Sequence, residues 1–176
     1  MRMTNERLEQ FLFDEPTNVY ALLDGASIEG LRMHLYDKRP PHYCLFRGEL
    51  EPDMAENSPY LVGLVRGTPF TDWLLGEKMG NHYGVYAQSR QSITEMRRHF
   101  RELITVYSED GNPMIFRYYD PRVMHQFLPT CNAGELKSFF GSVDKFIAET
   151  EDGESFSVFN LKGGALKQKE FSGEGE

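Results

Sequence analysis

Residues 110–129 read DGNPMIFRYYDPRVMHQFLP, and this stretch combines a turn, a strand and the start of a helix. Its first residues, Asp-Gly-Asn, are typical of a tight turn, and residues 114–119 form a β-prone run rich in aromatic side chains. Asp120 then stands where a carboxylate can accept hydrogen bonds from the free amides of a helix start, and Pro121 follows at the first helical position. The stretch therefore predicts a strand that leads directly into a helix beginning after Asp120.

Arg117 is the one charged side chain inside this predicted strand. Burial of a guanidinium is costly unless a carboxylate or carbonyl oxygens accept its hydrogen bonds. The nearest carboxylates along the sequence are Asp110 and Asp120, so we expect one of them to be its partner. Because Arg122 also lies beside Asp120, we predict that Arg117 or Arg122 makes a charge-assisted contact there.

The composition of the chain limits what it can bind. The 176 residues carry a formal net charge of -8, and 40% of them are hydrophobic, which is enough material for one domain with a substantial core. An acidic protein repels the phosphates of nucleic acids and anionic lipids, so binding to nucleic acid or to a membrane is disfavoured. The two cysteines lack metal-site spacing, and the first residues lack a signal-peptide pattern. We therefore expect a cytoplasmic protein without a metal or cofactor.

Alternating patterns along the chain predict an α/β fold. Residues 19–23 and 60–65 are continuous apolar runs, which is typical of strands with both faces buried, and we expect these two strands to be neighbours at the centre of one sheet. Helical spacing of apolar residues after the first run predicts a β-α-β unit. Residues 105–119 and 145–161 are predicted to form hairpins. The sheet is therefore expected to be mixed, with flanking helices and with hairpins toward its edge and the C terminus.

Capping residues predict where several helices begin. Thr4 precedes a first amphipathic segment, while Ser92 and Asn132 are each followed three residues later by a glutamate, the pattern of a capping box. Residues 162–176 are polar and rich in glycine, which is typical of disorder. We therefore expect a single domain over residues 1–161 and a disordered tail over residues 162–176.

Asp24 is the candidate for a catalytic residue. It directly follows a predicted buried strand, and ligands of open α/β sheets bind at the ends of strands. A small hydrolase or phosphatase that uses Asp24 is therefore one hypothesis. The favoured interpretation is that Asp24 and Gly25 form a turn, because no second carboxylate follows at close spacing to complete a metal pair. Cys44 and His42 also share a predicted strand, and there a buried, unreactive cysteine is favoured over a nucleophile.

Aromatic and basic residues are candidates for a protein-binding surface. The aromatic side chains exceed what one small sheet must bury, and aromatic residues with arginine are enriched at the centres of protein interfaces. Burial of all of them in the core is an equally good interpretation. The basic run on the helix after Ser92 either binds an acidic partner or a phosphate, or forms a solvated helix face. The partner-binding candidates are Phe70, Trp73, Tyr118, Tyr119, Arg97 and Arg101.

Several short blocks, in one order, resemble the type VI secretion adaptor chaperones. The blocks are YALLDGA at 20–26, SPYLVGL at 58–64, GNHYGVYAQS at 80–89, FRYYDPRVMHQFLP at 116–129 and LKSFFGSVDKF at 136–146. They extend over most of the chain, and several blocks in a fixed order are more specific than any single motif.

The resemblance implies a non-enzymatic adaptor that binds an effector toxin and loads it onto the C-terminal region of a VgrG spike protein in the cytoplasm of a Gram-negative bacterium. An adaptor needs a rigid platform and a partly apolar face, and it needs no reaction centre. Trp73 and Tyr119 are the expected central residues of its interface. The hallmark positions of the family correspond to Asp24, Arg117, Asp120, Pro121 and Arg122.

Overall fold

The computed structural model describes residues 3–77 and 79–173. The strands are β1 (Asn18–Asp24), β2 (His42–Cys44), β3 (Pro59–Leu64), β4 (Gly84–Ser89), β5 (Thr105–Tyr107), β6 (Pro113–Ile115), β7 (Val143–Glu149), β8 (Phe156–Lys162) and β9 (Ala165–Phe171). The helices are α1 (Asn5–Phe13), α2 (Leu31–Lys38), α3 (Pro52–Glu56), α4 (Pro69–Glu77), α5 (Ile93–Ile104), α6 (Pro121–Phe127) and α7 (Ala133–Phe140), and Leu128–Thr130 form a 3-10 turn. Within these described ranges, no helix has the length and apolar character needed to cross a membrane.

The main sheet has seven strands in the order β2-β3-β1-β4-β7-β8-β9, and the α/β class is confirmed. β1 pairs with β3 on one side and with β4 on the other, so the two apolar strands are neighbours as predicted. The prediction of a mixed sheet is wrong, because every pairing in the described part of the sheet is antiparallel. β1 and β2 do run in the same direction, but β3 lies between them. A continuous apolar run reports that both faces are covered, and it does not encode the direction of the neighbouring strand.

Helices cover both faces of the main sheet and create two hydrophobic cores. Successive side chains of a strand point to opposite faces. Tyr20 and Leu22 of β1 therefore pack in a core with α5, α6 and α7. Val19, Ala21 and Leu23 pack on the opposite face in a core with α1, α2 and α4. A strand in this position has no solvent-facing side, which explains why its sequence is apolar throughout.

Side-chain caps begin most helices where the sequence predicts. Thr4 caps α1, and Ser92 and Asn132 form complete capping boxes at the starts of α5 and α7. α2 begins later than its apolar spacing suggests, at Leu31. The hydroxyl of Ser27 is engaged by the preceding aspartate instead of capping a helix.

Hairpin β5–β6 forms a separate two-stranded sheet, and every residue of its two strands is exposed. β6 ends at Ile115, so the predicted strand over 114–119 is too long, and Arg117 lies in the loop that follows. In this loop the side chain of Tyr118 is fully buried, and its hydroxyl donates to the carbonyl oxygen of Phe100 at 2.9 Å. The burial of Tyr118 draws the chain into the core and ends the strand.

The C-terminal segment forms an edge strand, so the predicted disorder is wrong for residues Ala165–Phe171. β9 pairs with β8 along its whole length. The Phe171 ring stacks on Phe11 of α1 with centroids 4.2 Å apart, and the guanidinium of Arg7 lies 5.1 Å from the Phe171 centroid. Edge strands are commonly polar and rich in lysine, and this composition resembles that of a disordered tail. Residues 174–176 of the predicted tail lie outside the described residues.

We predict that Phe171→Ala lowers the free energy of unfolding by about 1–2 kcal/mol, because it removes the ring that packs on Phe11. Lys167→Ala, at an exposed position of β9, is the control and should change this free energy by less than about 0.5 kcal/mol. Urea unfolding followed by circular dichroism measures both variants. Equal stability of Phe171→Ala and the wild type would contradict a packed β9.

Candidate functional site

Asp24 ends β1, and its carboxylate is fully engaged by groups of its own chain. The residue is 3% exposed. Oδ1 accepts a hydrogen bond from the backbone N–H of Ala26 at 3.0 Å. Oδ2 accepts one from the Ser27 hydroxyl at 2.7 Å and one from the Arg117 guanidinium at 2.6 Å. Asp24 therefore organises a turn, as its favoured interpretation predicted.

Gly25 allows this turn to lie directly against the segment that leads into β3. Its N–H donates to the carbonyl oxygen of Ser58 at 3.0 Å. A Cβ atom at position 25 would collide with this oxygen and would lie 2.8 Å from the carbonyl oxygen of Glu56. Glycine is needed here because the backbones approach closely.

Arg117 pairs with Asp24, so the expectation of Asp110 or Asp120 as its partner is wrong. The two paired residues are 93 positions apart in sequence, and a contact of that kind leaves no local pattern. The Arg117 side chain remains 51% exposed although Asp24 is buried. Burial alone would lower the pKa of Arg117, but the Asp24 carboxylate and the Tyr119 hydroxyl outweigh this effect and raise the pKa above its ordinary value.

Asp120 caps α6 and binds Arg122 at the same time. Oδ1 accepts hydrogen bonds from the backbone N–H of Arg122 at 2.9 Å and from its Nε at 3.0 Å. Oδ2 accepts one from the terminal guanidinium nitrogen at 2.9 Å. The predicted cap, the helix start at Pro121 and the predicted Arg122 contact are all present. Burial would raise the pKa of Asp120, but the hydrogen bonds from Arg122 hold the pKa below its ordinary value.

Asp24, Arg117, Asp120 and Arg122 form one group of charges, which we call the Asp-Arg cluster. The backbone joins its two ion pairs, because the N–H of Asp120 donates to the carbonyl oxygen of Arg117 at 3.0 Å. The pairs also interact through space. Asp120 raises the pKa of Arg122, and Asp24 adds to this effect. Arg122 lowers the pKa of Asp120, and Arg117 adds to that effect. Because it contains two carboxylates and two guanidinium groups, the cluster has a net charge of zero. The Asp-Arg cluster thus ties the start of α6 to the end of β1.

The chemistry open to the Asp-Arg cluster is limited by how its carboxylates are used. Asp120, the second carboxylate near Asp24, is itself bound by Arg122 in a bidentate pair. In residues 3–77 and 79–173, no group of three or more histidine, cysteine, aspartate or glutamate side chains has an arrangement that could hold a metal ion. The Nδ1 of His42 donates to the carbonyl oxygen of Pro40 at 2.7 Å, so this ring nitrogen does not serve Cys44 as a base.

Four predicted partner-binding residues are buried, which corrects their assignment to a surface. Phe70, Trp73, Tyr118 and Tyr119 are at most 7% exposed. The ring of His34 stacks on Trp73 with centroids 3.9 Å apart and covers it. The sequence-based expectation assumes one core, but the sheet has a core on each face. Two cores bury more aromatic side chains than one. Trp73 and Tyr119 therefore do not lie at the centre of an exposed surface.

The basic candidates Arg97 and Arg101 project from α5 toward the edge strand β2. The Arg97 guanidinium lies 4.3 Å from the ring centroid of Tyr43. Arg101 donates to the carbonyl oxygen of Cys44 at 2.8 Å. Among the described residues, neither arginine forms an ion pair with a carboxylate. Both remain partly exposed and carry positive charge at one edge of the molecule.

Exposed apolar side chains lie instead on hairpin β5–β6. We call Val106, Tyr107, Met114 and Ile115 the hairpin surface; their exposed fractions run from 36% to 70%. Sequence reasoning missed them, although a signal was present. Each strand carries adjacent apolar residues and so places apolar side chains on both faces, and a hairpin outside the main sheet cannot bury both.

Comparison with known proteins identifies a family. A family model described as "Domain of unknown function (DUF4123)" matches residues 19–138, which is well over half of the chain. The matched range contains the Asp-Arg cluster and the hairpin surface. No curated protein and no solved structure matches the chain.

We predict that Asp24→Ala lowers the free energy of unfolding by roughly 2–4 kcal/mol, because it leaves three donors without their acceptor, one of them charged. Asp120→Ala removes a helix cap and a half-exposed ion pair and should cost about 1–2 kcal/mol. Asp24→Asn keeps one acceptor oxygen, enough for the Ala26 N–H, and should fall between Asp24→Ala and the wild type. Chemical denaturation measures all three. The scaffold role of Asp24 is refuted if Asp24→Ala is as stable as the wild type.

The lowered pKa of Asp120 predicts a pH dependence of stability. Because the folded-state pKa lies below the ordinary value of 3.8, the unfolded state binds more protons on acidification. Asp120 therefore contributes stability that is present above the ordinary pKa and is lost as the pH falls through the folded-state pKa. The wild type should lose stability more steeply than Asp120→Asn between about pH 4 and pH 2. Melting curves across this range test the prediction, and parallel losses in the two proteins would contradict it.

Proposed function

The chain belongs to the DUF4123 family, and we propose that it is a non-enzymatic adaptor that binds a toxin effector and loads it onto a VgrG spike protein of the type VI secretion system. The loading would take place in the bacterial cytoplasm, before secretion. The family description assigns no activity. Two observations support the proposal: the resemblance of the sequence blocks to adaptor chaperones, and the exposed hairpin surface of this chain.

The hairpin surface is the observation that carries the proposal. Its four large apolar side chains are exposed on a two-stranded sheet in which no residue is buried. Two of them lie on each face of the hairpin. Neighbouring exposed apolar side chains mark sites of protein-protein contact, and an isolated hairpin is marginally stable in water. A bound partner would cover these side chains and stabilise the hairpin. This surface is a better candidate than the buried aromatic residues.

The Asp-Arg cluster supports the same proposal by a different route. Arg117 follows β6 by two residues, and its ion pair with Asp24 anchors the base of the hairpin to the main sheet. All four charges serve contacts within the chain, so the hallmark positions are accounted for by structural roles. The hydrolase alternative requires an Asp24 carboxylate that is available to a substrate or metal, and no contact of Asp24 favours that role.

We predict a stable complex between this protein and the C-terminal region of a VgrG protein, the effector, or both. Size-exclusion chromatography and calorimetry with the purified partners measure it. Tyr107→Ser should weaken binding about tenfold or more, because a central aromatic side chain contributes strongly to an interface. Tyr36→Ser is the matched control: Tyr36 is 76% exposed, similar to Tyr107 at 70%, but lies on α2 in the opposite helix layer.

Two outcomes would contradict the proposal. The first is the absence of detectable binding to either partner by a folded protein. The second is metal-dependent hydrolysis of a phosphoester or ester by the wild type that disappears in Asp24→Asn, which would support the hydrolase alternative.

A further inference from the structure

A groove lies between one face of hairpin β5–β6 and the segment that follows β2. Antiparallel register places Thr105 opposite Ile115 and Val106 opposite Met114, so the side chains of Tyr107 and Ile115 lie on one face. We call the space beside this face the hairpin groove; its volume is about 570 Å³. Its apolar walls are formed by Leu45, Phe46, Leu50, Met54, Tyr107 and Ile115.

Arginine side chains give the hairpin groove a positive rim. Arg47 and Arg101 line the groove, and Arg97 lies one helical turn before Arg101. Glu102 is the one carboxylate among the described lining residues. None of the three arginines forms an ion pair within the described part of the chain. Burial and the like charges of Arg97 and Arg47 lower the pKa of Arg101.

The opposite face of the hairpin has the reverse charge. There a groove of about 670 Å³ is lined by Val106, Phe116 and Phe127 together with two carboxylates, Glu102 and Glu135, and its described lining contains no arginine or lysine. Both faces of the hairpin therefore offer apolar contact, but they differ in electrostatics. The charge of a binding partner therefore determines which face of the hairpin attracts it.

We infer that the hairpin groove binds a peptide segment of the partner in which apolar side chains are flanked by aspartate or glutamate. The inference rests on the proposed function and specifies the chemistry of the partner. Apolar anchors would cover Tyr107 and Ile115, and the flanking carboxylates would pair with Arg47 and Arg101. The chain has a net charge of -8, so most of its surface repels an acidic segment while the rim of the groove attracts it.

A selection from displayed random peptides of about 12 residues, against the purified full-length protein, tests the inference without a known partner. The enriched peptides are expected to combine aromatic or aliphatic residues with aspartate or glutamate. One enriched peptide is then synthesised with a fluorescent label, and its affinity is measured by anisotropy. Raising the salt concentration from about 0.05 to 0.3 M should weaken binding, because it screens the charges.

Matched surface variants locate the binding site. Ile115→Ser and Arg47→Glu, both at exposed positions of the hairpin groove, should weaken the labelled peptide at least about tenfold. Val106→Ser, on the other face of the hairpin, and Arg98→Glu, at an exposed position of α5 outside the groove lining, should change its affinity less than about twofold. Thermal melts verify folding, and Tyr107→Ser replaces Ile115→Ser if the latter lowers the melting temperature.

The remaining outcomes separate this inference from the proposed function. The groove inference is overturned if no peptide is enriched, if the enriched peptides lack acidic residues, or if Val106→Ser weakens binding as much as Ile115→Ser. It is also overturned if the VgrG or effector complex forms and neither Ile115→Ser nor Arg47→Glu affects it, although the adaptor function then stands. If neither VgrG nor the effector binds but acidic peptides still bind in the groove, the adaptor function is overturned and the groove inference stands.

Discussion

The ion pair between Asp24 and Arg117 joins two parts of the chain that no strand pairing connects. Asp24 belongs to the main sheet, while Arg117 follows a hairpin that forms a sheet of its own. A carboxylate as buried as Asp24 needs its counter-charge, because loss of one partner of a buried pair is costly. This requirement fixes the loop after β6, and through the adjacent Asp120 it fixes the start of α6. A contact between residues distant in sequence thus helps to fix the position of the hairpin.

The base and the body of the hairpin have opposite environments. At the base, the Tyr118 ring is fully buried and packs edge-on against Phe139, and its hydroxyl is bound by the backbone of α5. In the body, Tyr107 and Ile115 are mostly exposed. An interaction surface held in place at its base loses less conformational entropy when a partner binds than a mobile loop does. The arrangement thus presents apolar side chains in solvent while limiting the cost of ordering them, which is a useful property for an adaptor.

Local features of the structure could be predicted from the sequence, and features that depend on distant contacts could not. The cap at Asp120 and the two capping boxes require only neighbouring residues, and the adjacency of β1 and β3 follows from two matching apolar runs. The partner of Arg117 required knowledge of the fold, because Asp24 is 93 positions away. The direction of the strands has no signature in a run that is buried on both faces. The expectation of exposed aromatic residues, among them Trp73, assumes a single core. The sheet has a core on each face, and the two cores bury these residues.

The two arginine pairs that the sequence singles out differ in a way that only the structure reveals. Arg117 and Arg122 are each neutralised by an aspartate, so the Asp-Arg cluster contributes rigidity and little net field. Arg97 and Arg101 have no carboxylate partner among the described residues, and Arg47 adds a further charge beside Arg101. On an acidic protein this region supplies a local positive potential next to exposed apolar side chains. Apolar contact provides most of the affinity of an interface, while complementary charge determines which partner is attracted and how fast it associates. The hairpin groove combines both properties at one place.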